Sequence, residues 1–259
     1  DSNNVYKPSN EKETANFIRE IYNNNLPTKI IGTNSKSFIG NKLQSAKVLD
    51  LSSLSGIVEY LPEELYIKVK ACTPISLIEE ILEKNNQQLA FEPIDFGYIK
   101  DFKSNKGTAA GQLSCNFSGS RRFKVGSIRD HVLGFRGING KGNIIKSGGV
   151  VVKNVTGYDL SKLVTGSFGT LVALTEITFK VLPKKDSINT IVVYSEDNKI
   201  ITNLFDLLLS SSNEISGSVY IPHEPKNNNY TINREKILKF NDLKSEAPFL
   251  ALRIEGSKK

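Results

Sequence analysis

The 259-residue chain has no run of 18 consecutive apolar residues, and its start shows no basic segment followed by an apolar core. A membrane-spanning helix or a cleavable export signal is therefore not expected within it. Only two cysteines occur, Cys72 and Cys115, and neither has a histidine or second cysteine at metal-ligand spacing. A disulfide framework and a zinc site are both excluded, and free thiols in a reducing, cytoplasmic compartment are the expectation. Histidine is equally scarce. His131 and His223 lack the spacing of a catalytic triad or zinc site, and His131, set in an apolar run, reads as a core or ligand-adjacent residue. Methionine is absent even from position 1, and Leu250–Gly256 reads as a strand entering a turn with no closing element, so a fragment at both ends is expected.

Two common nucleotide motifs are missing as well. Around Gly140-Lys141 the P-loop spacing fails at Phe135 and at Gly142, and Gly137, Gly140 and Gly142 carry the Rossmann spacing reversed. The net charge of +7 comes from lysines scattered among asparagine and isoleucine. No stretch interleaves aromatics with clustered basic residues, so nucleic-acid binding is not expected. Three glycosylation-type triplets, at Asn116, Asn154 and Asn229, accompany no export signal and are read as chance in an asparagine-rich chain.

What is present is a mixture of helix and strand patterns. Asn10 and Glu13 form a capping box ahead of Phe17, Ile18, Ile21 and Tyr22, which predicts a helix over about 10–24. Short apolar runs at 28–31, 47–51, 56–60 and 65–71 predict strands. Thr73-Pro74 predicts the start of a second helix over about 74–86. From Phe91 the periodicity is lost through a span of small residues that leaves room for a ligand. Asn139-Gly140 marks a hairpin between strands at 132–138 and 143–146. A long strand over 171–181 closes at Pro183. Beyond it lie a strand at 190–194, a helix at about 198–211, a strand at 215–221, a polar loop at 222–233 and a strand at 249–254. The order is α+β, with a domain boundary near residue 186.

Two stretches point to a cofactor. Thr28-Lys29-Ile30-Ile31 stops abruptly at Gly32-Thr33-Asn34-Ser35-Lys36, a loop that offers successive N–H groups and a cation to a phosphate, although a plain polar turn fits the composition as well. From Lys106 to Pro183 glycines punctuate apolar runs, the pattern of main chain laid close against a ligand.

Taken in order, Ser118-Gly119-Ser120-Arg121-Arg122, Gly126-Ser127-Ile128-Arg129-Asp130, Val132-Leu133-Gly134, Asn139-Gly140-Lys141-Gly142, Lys153 through Leu160, Gly166-Ser167-Phe168-Gly169-Thr170-Leu171 and Thr175-Glu176 resemble the vanillyl-alcohol-oxidase, or PCMH-type, FAD-binding family. Within it they are most similar to the smaller flavoprotein subunits of bacterial glycolate oxidases. The resemblance covers nearly all of residues 5–185. It implies a two-lobed PCMH-type FAD-binding domain over 1–185, followed by a partial small α+β cap or substrate domain over 186–259.

The resemblance also implies roles. Gly32, Thr33, Asn34, Ser35 and Lys36 match the pyrophosphate loop, and Thr108, Gly111, Ser118 and Gly119 a second segment along FAD. Gly126, Ser127 and Val132 match a third, and Gly166, Gly169, Thr170, Thr175 and Glu176 the segment on the adenine and ribose side. No histidine stands in the loop, which implies non-covalent FAD. Ala110 and Val172 replace glycines usual in the family, and Ser120 replaces a proline. The implied reaction is oxidation of a 2-hydroxy acid, glycolate or D-lactate, by hydride transfer to FAD, with a base and a carboxylate-binding cation required. Arg121 and Arg122 are the candidate cations, for substrate carboxylate or FAD phosphate, with a surface or inter-lobe salt bridge as the alternative. No residue reads as the base. The implied partners are a second flavoprotein and an iron–sulfur subunit, with any membrane association through them. A non-catalytic assembly subunit and a stand-alone alcohol or sugar oxidase are the alternatives.

Overall fold

The first helix shows how this sequence builds its elements. In the computed structural model, which describes residues 4–41, 44–97, 107–149, 158–210, 214–222 and 248–257, α1 spans Glu11–Asn23. The Asn10 side chain accepts from the Glu13 amide at 2.9 Å, and the Glu13 carboxylate accepts from the Ser9 amide at 2.7 Å. A cap of this kind is worth about 1 kcal/mol. The opposite face buries Ala15, Phe17 and Ile18 against Leu49, Leu51 and Leu54. Beneath it lies a parallel sheet of β1 (Val5–Tyr6), β3 (Lys47–Asp50) and β2 (Thr28–Ile31), in the order β1-β3-β2.

A five-stranded antiparallel sheet forms the other layer, in the order β4 (Ile57–Leu61), β5 (Tyr66–Lys70), β9 (Val172–Lys180), β7 (Val132–Asn139) and β8 (Ile144–Gly148). The alternation of β5 places Ile67 and Val69 in the core with no exposure. Tyr66, on the opposite face of the strand, is also buried. Helix α2 (Ile75–Glu83) lays Ile75, Ile78 and Leu82 on this sheet. Its cap differs from the expected Thr73 cap. Pro74 is the N-cap, while the Thr73 hydroxyl bonds instead to Lys70 and Gly56.

The span after Phe91, expected to be aperiodic, contains α3 (Ala109–Cys115), α4 (Arg122–Val125) and α5 (Ile128–His131). Ala109 and Leu113 are fully buried, so part of this small-residue segment fills the core. The physical marker is Thr108, whose hydroxyl caps α3 by accepting from the Gly111 amide at 3.2 Å. In the hairpin, Gly142 rather than Gly140 takes the left-handed conformation, at φ +78°, and the turn is longer than two residues. Helix α6 (Leu160–Val164) precedes β9, and β10 (Leu182–Pro183) pairs with β6 (Gln87–Gln88). The motif residues at 153–157 lie outside the described residues.

The chain divides into two units, 1–184 and 185–259. In the second, β11 (Ser187–Tyr194), β13 (Phe249–Gly256) and β12 (Ile215–Ile221) form an antiparallel sheet in that order. Helix α7 (Asn198–Leu209) packs Ile201 against Leu250 and Leu252. His223 and the triplet at Asn229 lie outside the described residues.

Candidate cofactor cleft

Strand β2 ends at Ile31, and the chain turns through Gly32–Lys36 with Asn34 at φ +54°. Across from this loop stand Thr108 and the first turns of α3, and the two elements enclose a cleft of about 490 Å³. Its walls include all five residues from Gly32 to Lys36, Thr108, Gly111, Gly169 and Thr170. Nine of the residues assigned to FAD on the sequence thus meet in one concavity. The walls also include residues the sequence reading passed over, namely Ile30, Ile31, Cys72, Ser114, Cys115 and Phe168. Ile30 and Ile31 end β2, Cys72 follows β5, Ser114 and Cys115 belong to a helix that had not been anticipated, and Phe168 lies in the turn before β9.

Lys36 dominates the electrostatics. Its half-buried ammonium makes no hydrogen bond or ion pair among the described residues and sits 5.9 Å from the Phe96 ring centroid. Burial pushes its pKa below the usual lysine value. A carboxylate partner would oppose that shift, and a bound phosphate would do the same. The approach is close. A Cβ at Gly107 would come within 2.8 Å of the Lys36 Nζ. Nearby, burial raises the Cys115 thiol pKa, with Lys36 pulling the other way, and Cys72 is pushed up to about 12. Both thiols are therefore neutral near pH 7 and inert as nucleophiles.

The remaining assigned residues do not line this cleft. Ser118 accepts the Ile128 amide at 2.9 Å. Gly119 lets the chain pass Glu92, where a Cβ would lie 2.6 Å from the Glu92 Cβ. Gly126 ends α4 at φ +87°, and Ser127 forms a capping box with Asp130. Val132 opens β7 and packs on the main core, and Gly166 donates to the Leu113 carbonyl. Thr175 is buried and donates to Glu11 Oε1 at 2.8 Å, while Glu176 pairs across the sheet with Lys70 and Arg136. Thr175 therefore serves the junction of the two layers. It completes a clamp in which Glu11 also receives Arg136 Nε at 3.2 Å and Nη2 at 2.6 Å.

Arg121 and Arg122 likewise stand outside the cleft. Arg121 is buried, with Nη1 3.4 Å from Glu92 Oε1, and its amide donates to Glu92 Oε2 at 2.7 Å. This is the salt-bridge alternative. Arg122 is exposed on α4. Among the described residues no histidine lines the cleft. His131 is buried beside Phe91, its Nε2 is 3.0 Å from the Val125 carbonyl, and burial lowers its pKa.

The two positions where glycine is usual in the family fare differently from each other. Ala110 stays at the cleft wall. Val172 also borders the cleft, but its Cγ1 occupies the space that a side chain at Gly137 would fill, 2.5 Å from where that Cβ would stand. The space left by the absent side chain at Gly137 on β7 thus takes up a methyl from β9, beside a register shift between Arg136 and Gly137.

A loop of amides and hydroxyls, an ammonium without a partner among the described residues and close-approach walls suit an anionic dinucleotide. The chain belongs to the FAD-binding domain family, whose description matches residues 3–148. It is 42% identical over 167 residues to glycolate oxidase subunit GlcE of Escherichia coli, covering 64% of this chain and 45% of that protein. To a D-lactate dehydrogenase of Archaeoglobus fulgidus it is 34% identical over 190 residues, covering 73% and 41%. The solved structure of an alkyldihydroxyacetonephosphate synthase superposes on 98% of this chain and 47% of its own, with a TM-score of 0.71 at 17% identity, a likeness of fold. The chain spans less than half the length of each of these relatives. No described helix is long and apolar enough to cross a membrane.

Proposed function

We propose that this chain is the FAD-binding part of a flavoprotein subunit that oxidises a small 2-hydroxy acid, glycolate or D-lactate, to the 2-oxo acid. The observation that carries the reading is Lys36, a half-buried ammonium with no carboxylate partner among the described residues, on a loop of amides and hydroxyls. When bound, FAD supplies the acceptor for the hydride from the hydroxyl-bearing carbon. The chain's own residues hold the cofactor. The 32–36 amides and Lys36 receive the pyrophosphate, Thr108 and Gly111 permit its close approach, and Ile30 and Ile31 keep water from one wall. With no histidine in that loop and both thiols neutral, the cofactor is held without a covalent bond.

Residues 1–184 are assigned as the FAD-binding domain and the second unit as part of a cap. Similarity to a protein named as a subunit supports a multi-subunit complex. In this reading electrons pass on to a second flavoprotein and an iron–sulfur partner, in the cytoplasm or at a membrane reached through them. One observation favours a second reading, that of a non-catalytic assembly subunit. Arg121 is committed to Glu92, and no described histidine reaches the cleft. Anaerobic addition of glycolate or D-lactate to the FAD-loaded protein separates the two. Bleaching of the visible flavin band supports oxidation by this subunit, and bound but unreactive FAD supports assembly.

A further inference from the structure

Phe168 is the residue whose conformation the protein alone does not explain. Its φ is +52°, a left-handed backbone that a large L-residue adopts only against a steric penalty. Among the described residues seven non-glycines have positive φ, and four of them are asparagines, which tolerate that region well. Of the other three, Leu65 packs against the main core and Glu92 binds Arg121 and Ser120. Both thereby gain contacts that offset their strain. Phe168 gains none of this kind. Its side chain is 57% exposed and meets no other ring among the described residues.

The backbone around it is firmly held. The Phe168 amide donates to the Ser114 carbonyl at 2.8 Å, Gly166 donates to Leu113 at 3.1 Å, and the Thr170 amide and hydroxyl both donate to the Ser167 carbonyl, at 3.0 and 2.7 Å. Gly166 and Gly169 also have positive φ, at +81° and +74°. A turn with these demands is served by glycine at all three places. An exposed phenyl ring at the third, on the wall of the cleft that holds Lys36, points to a ligand that uses the ring.

We propose that Phe168 is a stacking residue, whose ring lies against one of the two flat rings of the dinucleotide held in the cleft. This rests on the reading of that cleft as an FAD site. Aromatic rings on nucleotide bases contribute about 1–3 kcal/mol per stacked base, which corresponds to about five- to 150-fold in affinity. Binding would then offset the backbone strain that the empty protein carries.

The test combines apo-protein melting with binding of FAD, and competition by ADP and FMN, in the wild type and in Phe168→Gly, Phe168→Ala and Phe168→Tyr. Phe168→Gly is expected to melt at or a few degrees above the wild type, because the exposed ring adds little to the fold and glycine relieves the φ. It should bind FAD about tenfold or more weakly. Phe168→Ala should lose the same affinity, and Phe168→Tyr should keep it. ADP competition weakened in step with FAD assigns the ring to the adenine, and FMN competition so weakened assigns it to the flavin. Wild-type affinity in Phe168→Gly and Phe168→Ala overturns the stacking role, and so does a lower melting temperature that accounts for the lost binding. Failure of the wild type to bind FAD at all would instead overturn the cofactor reading itself.

Discussion

Lys36 and Arg121 are two cations drawn out of water within the same unit, and the fold treats them in opposite ways. Arg121 is closed off by Glu92, which takes both a guanidinium contact and the backbone amide. The strained Glu92, at φ +52°, and the close passage at Gly119 exist to make that meeting possible. Lys36 is desolvated and left without a counter-charge among the described residues. Removing one partner of a buried pair strands the other charge, whereas a buried single charge weakens the fold until an anion arrives. The comparison therefore separates a residue that supports the site from one that serves it.

The sharpest way to break the comparison is to remove each cation in turn. Arg121→Ala takes the guanidinium away from the part-buried Glu92, at a cost of about 3 kcal/mol. Thermal melting should fall by roughly 6–12 °C, while the folded fraction retains its affinity for FAD. Lys36→Gln should do the reverse. Apo melting stays level or rises, and FAD affinity falls by about 1.5–3 kcal/mol, ten- to 150-fold, by titration calorimetry. A mutant with both losses would erase the distinction.

Gly137→Ala tests the wall. The new Cβ would meet Val172 Cγ1 at 2.5 Å and the Ala173 carbonyl at 2.7 Å, so overpacking of about 1–3 kcal/mol is expected. Chemical denaturation should show it, and displacement of Val172 toward the cleft should weaken FAD as well. The smallest effect is at the clamp. Burial opposes ionisation of Glu11, but hydrogen bonds from Arg136 and Thr175 outweigh it and hold the carboxyl below its usual value. Its contribution is thus present above about pH 4.5 and is lost as pH falls through the lower folded-state value. In Glu11→Gln, stability at neutral pH should drop by about 1 kcal/mol, and the fall in stability on acidification should become shallower.

The parts legible in the sequence were those with a local signature. Helix α1 declared itself through Asn10, Glu13 and its apolar stripe, and β5 through its alternation. The 32–36 loop stood out because glycine, hydroxyl, amide and lysine follow an abrupt strand end. Helix α3 did not show, since Ala109-Ala110-Gly111-Gln112-Leu113-Ser114-Cys115 has no amphipathic stripe and only the Thr108 cap betrays it. Tertiary pairings were also out of reach. Glu92 meets Arg121 across 29 residues of chain, and Glu11 meets Thr175 across 164. That distance is why neither the clamp at Thr175 nor the seating of a Val172 methyl over Gly137 could be read from local sequence.

In this reading the Lys36 charge, uncompensated among the described residues, marks the cofactor's pyrophosphate. FAD titration of the wild type, Arg121→Ala and Lys36→Gln, followed by flavin release on denaturation, tests it most directly. Stoichiometric visible flavin is expected in the wild type and in folded Arg121→Ala, and a loss of about tenfold or more in affinity in Lys36→Gln. A colourless wild type that refuses added FAD, or a Lys36→Gln protein that binds it as tightly as the wild type, would contradict it.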